Sequence, residues 1–439
     1  MISLHRTAAA TFRRASSLGF SRVHLIAGAL SLATALASSL AQAEACPATR
    51  LSANNGSPFA SCGPVPAAPV QATTPAPGAT CPLASDSRVR DIVINSVAIN
   101  NKPMKARLIL PKNYDAQPGK LWPVLYLLTG HGASYESWTC ATNVRTFVDN
   151  LDVLVVMPEG TVGIKQDAAA YTPDNLAGLG NKASGVPTWY SDWQSDLVQI
   201  ANSSVYGPRV RMRIMTHHTQ ELRDVLNKNF RADNGKYAVA GLSMGGFGAT
   251  AYALSSTPDR PWIAAAAFSG LLDTEYLSAN IPYVGGADIP TVIRGSIEVA
   301  QAAQGEILLT GNRLWGEKTS ATWQANNVKR RVAGGTSRLA TIPYYVSTGQ
   351  GNTESDIDLV ARYNDGTLDA AEVAVYFAAQ SFLGSLHRSD ANFKLEYFPK
   401  GGHKWSNWNV NVCRALNLTL VKALDATQTP YPLASCPTL

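Results

Sequence analysis

Two stretches of this chain, "WPVLYLLTG" (residues 122–130) and "DVLVVMPEG" (residues 152–160), are apolar without alternation and end in turn residues. A strand with one wet face alternates apolar and polar side chains, so a continuously apolar strand has to be covered on both faces. A parallel sheet between layers of helices provides that environment. "KYAVAGLS" (236–243), "PWIAAAAFSG" (261–270) and "IPYYVSTGQG" (342–351) read as further buried strands, and "FKLEYFPKGG" (393–402) as the last. "TQELRDVLNKNF" (219–230) has helical spacing and leads into "KYAVAGLS". Upstream, "RDIVINSVAIN" and "MKARLILP" alternate like antiparallel strands. Strands alternating with helical patterns predict one α/β domain over residues 86–439, with a mostly parallel sheet flanked by helices. The stretches 163–188 and 274–335 are poorly patterned and read as excursions above the sheet.

The first 43 residues belong to a different class. Arg6, Arg13, Arg14 and Arg22 sit in an acid-free stretch, followed closely by "HLIAGALSLATALASSL" and then "AQA". A basic start, a short apolar run and small residues at Ala41 and Ala43 predict a cleaved export signal. Without it, the net charge falls from +6 to +2, with 33 Lys and Arg against 31 Asp and Glu. The basic balance therefore gives no reason to expect a nucleic-acid partner, and no later segment is long and apolar enough for stable membrane insertion. Residues 44–85 are rich in Pro, Ala and Ser and read as a linker or a cystine-pinned arm. The cysteines number six: Cys46, Cys62, Cys81, Cys140, Cys413 and Cys436. An even count in an exported chain, with no CxxC pair, predicts disulfides, and Cys413 with Cys436 is the preferred pair.

Gly241-Leu242-Ser243-Met244-Gly245 has the G-x-S-x-G pattern of a nucleophile elbow. The serine must stand on a tight strand-to-helix turn, which requires neighbours without bulk. The following helix N-terminus and the Met244 amide would then face a developing oxyanion. A serine needs a base, and in this arrangement acid and histidine follow it in the chain. Only His387 and His403 do so. His387 falls near a helix end, whereas His403 lies in a glycine loop just after the last expected strand and is the expected base. The acid should follow "IPYYVSTG", which leaves Glu354, Asp356, Asp358, Asp365, Asp369 and Glu372. "NDGTLDAAE" has the back half of a calcium loop, but Ala361 and Tyr363 occupy ligand positions in the front half. His217-His218 lacks the HExxH pattern. No metal and no cofactor is expected. The second oxyanion donor should come from "TGHGASYESW", with the His131 amide as candidate.

With these residues in order, the chain resembles the esterase D group of α/β-hydrolases, and within it the antigen-85-type mycolyltransferases. The similarity rests on "LYLLTGHG", "WYSDW" (189–193), "GLSMGG", "FSGLLD", "LWGEKTSATWQANN" and "GGHKWSNW", which cover nearly the whole catalytic region. It implies Ser243 as nucleophile, His403 as base, and the His131 and Met244 amides as the oxyanion hole. It implies Glu372 as the acid, matching a glutamate about thirty residues before the histidine. Asp356 or Asp358 is held in reserve, because simpler members place an aspartate directly after that strand. The mycolyltransferases anchor trehalose with an Asp and an Arg around the oxyanion loop, where this chain has Thr129 and Gly132. The expectation is therefore an exported serine esterase acting on small or polymeric esters. Transfer to a lipid or sugar acceptor is one alternative, and a binding protein on a hydrolase scaffold is another.

Overall fold

The apolar runs become strands whose side chains divide between two cores. The computed structural model describes residues 86–162, 186–195, 212–276, 289–302, 312–318, 320–333, 337–351, 368–426 and 430–439, with the short strands Gln71–Thr73, Leu197–Val198 and Arg209–Val210. Nine strands form the main sheet. They are β1 (Gln71–Thr73), β2 (Val89–Ser96), β3 (Lys102–Ile109), β4 (Trp122–Leu128), β5 (Leu154–Pro158), β6 (Ala232–Leu242), β7 (Ala264–Phe268), β8 (Tyr344–Gly349) and β9 (Phe393–Phe398). Their spatial order is β1-β2-β3-β5-β4-β6-β7-β8-β9. The pairs from β5 through β9 are parallel, and β1, β2, β3 and β5 pair antiparallel at the other side. This is the α/β-hydrolase fold expected from the sequence.

Along β4, Val124, Tyr126 and Leu128 enter one core while Leu125 and Leu127 enter the other. A strand's period of two sends successive side chains to opposite faces, so both faces need apolar residues. The first face is covered by α1 (Arg223–Asn229), α2 (Met244–Leu254) and α3 (Ala370–His387), whose Leu226, Phe247 and Phe382 lie in that core. The second is covered by α4 (Trp405–Ala415), with Trp408 and Val412 buried beside Phe268 and Tyr345. A disulfide joins Cys413 of α4 to Cys436, as expected. Cys140 is also disulfide-bonded.

The stretch 274–335, read as a poorly patterned excursion, is more regular than its sequence suggests. Its described part contains the helices Ile289–Ala302, Asn312–Trp315, Ala321–Asn326 and Val328–Ala333. Three of these have only four to six residues. Such lengths give periodicity little room, and Asn312–Trp315 and Ala321–Asn326 each bury one large anchor. The Trp315 and Trp323 rings are fully buried 5.2 Å apart, and Trp323 Nε1 donates to the Thr274 carbonyl at 3.1 Å. The segment before β6 departs from a plain α-helix, since His217–Leu222 forms a π-helical turn ahead of α1. The export signal, Cys46, Cys62, Cys81, Asp356, Asp358 and the glycine-rich 163–185 lie outside the described residues.

Candidate active site

Ser243 lies between the end of β6 and the start of α2, with φ 53° and ψ −122°. Positive φ is unusual for a residue with a side chain, and here close backbone packing imposes it. A Cβ on Gly241 would fall 2.2 Å from the Gly245 carbonyl oxygen, and one on Gly245 would fall 2.5 Å from the Leu128 carbonyl oxygen. Only glycine permits either approach. The Ser243 N–H donates to the Phe268 carbonyl at 2.9 Å, which ties the elbow to the next strand. The serine itself is only 8 % exposed.

His403 comes from the loop after β9, which crosses the end of β8. A Cβ on Gly349 would fall 2.1 Å from the Gly401 carbonyl oxygen, so this crossing also depends on glycine. The imidazole Nε2 lies 2.8 Å from Ser243 Oγ, and Nδ1 lies 2.8 Å from Glu372 Oε2. Glu372, in the first turn of α3, is fully buried. Its other oxygen accepts from Ser269 Oγ at 2.9 Å and from the Gly349 N–H at 2.6 Å. Trp408 Nε1 donates to Ser269 Oγ at 3.2 Å, and the Trp408 ring meets the imidazole edge-on at 5.0 Å. The acid is thus fixed in orientation by several donors, and the histidine by the acid.

Burial acts to lower the pKa of His403, but the hydrogen bond and charge of Glu372, with the charge of Asp369, outweigh it and raise the pKa above 6.5. Asp369, one of the six carboxylates after the strand Tyr344–Gly349, supports the other two residues and does not itself meet the imidazole nitrogens. Its Oδ1 accepts from the Glu372 N–H at 3.2 Å as the N-cap of α3, and its Oδ2 accepts from the His403 N–H at 2.6 Å. The signal was present as Asp-Ala-Ala-Glu, which has the spacing of a capping box. In such a box the glutamate turns back to the N-cap amide, whereas here its carboxylate is directed to His403. Ser269, with φ 46°, has no comparable sequence signal.

On the opposite side of Ser243, the chain leaves β4 through Thr129, Gly130 and His131. A Cβ on Gly130 would fall 3.2 Å from the Ser243 Cβ, so this loop passes directly against the nucleophile. The N–H groups of His131 and Met244 have no acceptor among the described residues. Burial lowers the His131 imidazole pKa to about 4, so the ring is neutral near pH 7. His387 closes α3 and packs against Phe393 at 4.8 Å, away from Ser243. His217 and His218 are buried, bonded to Glu221 and to the Tyr252 hydroxyl respectively. No group of three or more His, Cys, Asp or Glu side chains suited to a metal ion occurs among the described residues.

Residues 96–418, well over half of the chain, match the family of putative esterases. The chain belongs to that family. The chain is 31 % identical over 149 residues to the esterase Rv1288 of Mycobacterium tuberculosis, a match covering 33 % of the chain and 25 % of that relative. It therefore spans about a quarter of the length of the curated relative it matches. Among solved structures, the chain is similar to an S-formylglutathione hydrolase from Agrobacterium tumefaciens, with a TM-score of 0.49 and 15 % identity over 77 % of this chain and 96 % of the other. It is also similar to MPT51 of Mycobacterium tuberculosis, with a TM-score of 0.47 and 18 % identity over 74 % and 94 % of the two chains.

Proposed function

We propose that this protein is an exported serine esterase that cleaves carboxylic esters through an acyl-enzyme intermediate. The observation that carries the reading is the unbroken line from Glu372 through His403 to Ser243, with both contacts at 2.8 Å. With its Nδ1 proton donated to Glu372, the imidazole presents Nε2 to accept the proton of Ser243 Oγ. The serine oxygen attacks the ester carbonyl. The amides of His131 and Met244 receive the resulting oxyanion, aided by the positive end of α2. His403 returns the proton to the departing alcohol, and water, deprotonated by the same imidazole, releases the acid. Hydrolysis is favoured over transfer to a sugar because Thr129 is fully buried and its hydroxyl lies 3.3 Å from Tyr190 Oη, leaving no polar anchor at that position. Among the described residues no helix is long and apolar enough to cross a membrane.

A fluorophosphonate probe followed by peptide mass spectrometry tests the nucleophile. The adduct is expected on Ser243 and absent from Ser243→Ala, which should also lose ester cleavage. A folded protein that takes no label would instead support the binding-module reading. Product analysis of an acyl ester with and without trehalose separates hydrolysis from transfer, and dominant sugar ester would overturn the hydrolase assignment. Export predicts a mature chain beginning at Glu44.

A further inference from the structure

The segment Trp189-Tyr190-Ser191-Asp192-Trp193 has no place in the proton relay, yet it is among the most constrained parts of the molecule. Trp189 and Tyr190 are consecutive non-glycine residues with φ 51° and 46°, a conformation such residues adopt only at a cost. The Tyr190 ring is fully buried, and two glycines make room for it. A Cβ on Gly248 of α2 would lie 2.6 Å from the ring, and one on Gly160 would lie 2.1 Å from the hydroxyl. The hydroxyl accepts from the Thr129 N–H at 2.9 Å and donates to the Thr129 carbonyl at 3.0 Å. Burial raises the phenol's pKa, so the group keeps the proton it donates.

Thr129 is the first residue beyond β4, whose ladder to β6 ends at Leu128. Its backbone groups would otherwise be buried and unpaired, and a single hydroxyl satisfies both. Across the loop the elbow stands equally close. The Thr129 carbonyl oxygen lies 2.6 Å from where a Cβ on Gly245 would sit, and the next residue, Gly130, packs against Leu242 and Ser243. The start of the oxyanion loop is therefore pressed between the elbow on one side and Tyr190 on the other.

We propose that Tyr190 is a positioning residue for the oxyanion hole, its hydroxyl holding Thr129 so that the His131 amide stays in place beside Ser243. The proposal rests on the serine-esterase reading above and explains why a buried tyrosine occupies a strained turn. The hydroxyl never meets substrate. Its effect passes through two residues of backbone to an N–H that stabilises charge only in the transition state. Its loss should therefore lower kcat and leave KM nearly unchanged.

The test is Tyr190→Phe assayed on an ester and on the matching thionoester, in which C=S replaces C=O. Sulfur accepts hydrogen bonds poorly, so an intact oxyanion hole favours the oxygen ester and a displaced one loses that preference. Tyr190→Phe should lower kcat for the ester by about 10- to 100-fold and shrink the ester-to-thionoester rate ratio by about tenfold. KM and the acid limb of the pH profile should stay put. An unchanged rate ratio, whatever happens to kcat, overturns the proposal, because a merely structural loss slows both substrates alike. If Tyr190→Phe does not fold, Gly160→Ala takes its place, displacing the hydroxyl without deleting it, with the same two outcomes. Wild-type protein that cleaves neither substrate in a Ser243-dependent way would instead break the underlying esterase reading.

Discussion

Nucleophile and base are brought to the same point by similar backbone crossings and then held by different forces. At the elbow, β6 and α2 meet through Gly241 and Gly245; at the base, β8 and the histidine loop meet through Gly349 and Gly401. Ser243 is locked into positive φ by that packing, so its position is a matter of excluded volume. His403 is not among the described residues with positive φ. Hydrogen bonds hold it: its N–H to Asp369, Nδ1 to Glu372 and Nε2 to Ser243. Both carboxylates come from the N-terminal end of α3, where backbone N–H groups point outward and favour negative charge. One side of the site should fail when atoms are added, and the other when charge is removed.

Removing charge has the largest expected effect. Glu372→Gln preserves volume but leaves His403 Nδ1 facing an amide that can present either an oxygen or an N–H. Turnover of a p-nitrophenyl ester should fall by about 10³- to 10⁴-fold, with the unfolding temperature little changed. Near-wild-type turnover would move the acid to Asp356 or Asp358 and dissolve the contrast. Adding volume comes next. Gly241→Ala drives a Cβ against a backbone oxygen that has nowhere to go, and should cost about 1–3 kcal/mol in denaturant unfolding. Its loss of activity should be the same at every pH, because the elbow does not act on the imidazole's charge. A deficit that varies with pH would mean that the two sides are not separable.

The same contrast explains what the sequence made legible. The apolar runs predicted the buried parallel strands, because a strand covered on both faces has few other compositions available. The elbow was visible for a related reason: excluded volume at a backbone crossing demands glycine, and glycine at fixed offsets is a local pattern. His403 was found by its place after the last strand. The acid was not decided by the residues themselves; six carboxylates followed β8, and only the family resemblance singled out Glu372. Hydrogen bonds made across 31 and 34 residues leave no local periodicity to read. Tyr190 shows the same limit, since its partner Thr129 lies 61 residues away and neither residue type announces the contact. The short helices Asn312–Trp315 and Ala321–Asn326 carry little periodicity to read, because buried tryptophans, more than amphipathic repeats, hold them.

Asp369 gives the finest cut through the comparison, because it combines a steric and an electrostatic task in one side chain. Asparagine is as good an N-cap as aspartate, so Asp369→Asn should keep the start of α3 intact and change stability by less than about 1 kcal/mol. One oxygen survives to cap α3, and what disappears is the charge together with the hydrogen bond that the second oxygen accepts from the His403 N–H. That charge is one of the influences that raise the His403 pKa above 6.5, acting with Glu372 against the lowering effect of burial. A general base works in its unprotonated form, so ester cleavage by the wild type should fall as pH drops through this raised pKa. With the Asp369 charge gone, the imidazolium is less stabilised, the pKa falls, and the acid limb of kcat/KM should move to lower pH. Turnover on the alkaline plateau should change least of all the variants here, since the contacts of Glu372 and Ser243 with the ring are untouched. A kcat/KM profile measured from pH 5 to pH 9 reads both quantities. If the limb stays where it was while the plateau drops, Asp369 acts only as a mechanical tie to the histidine backbone, and the base would be held by geometry much as the nucleophile is.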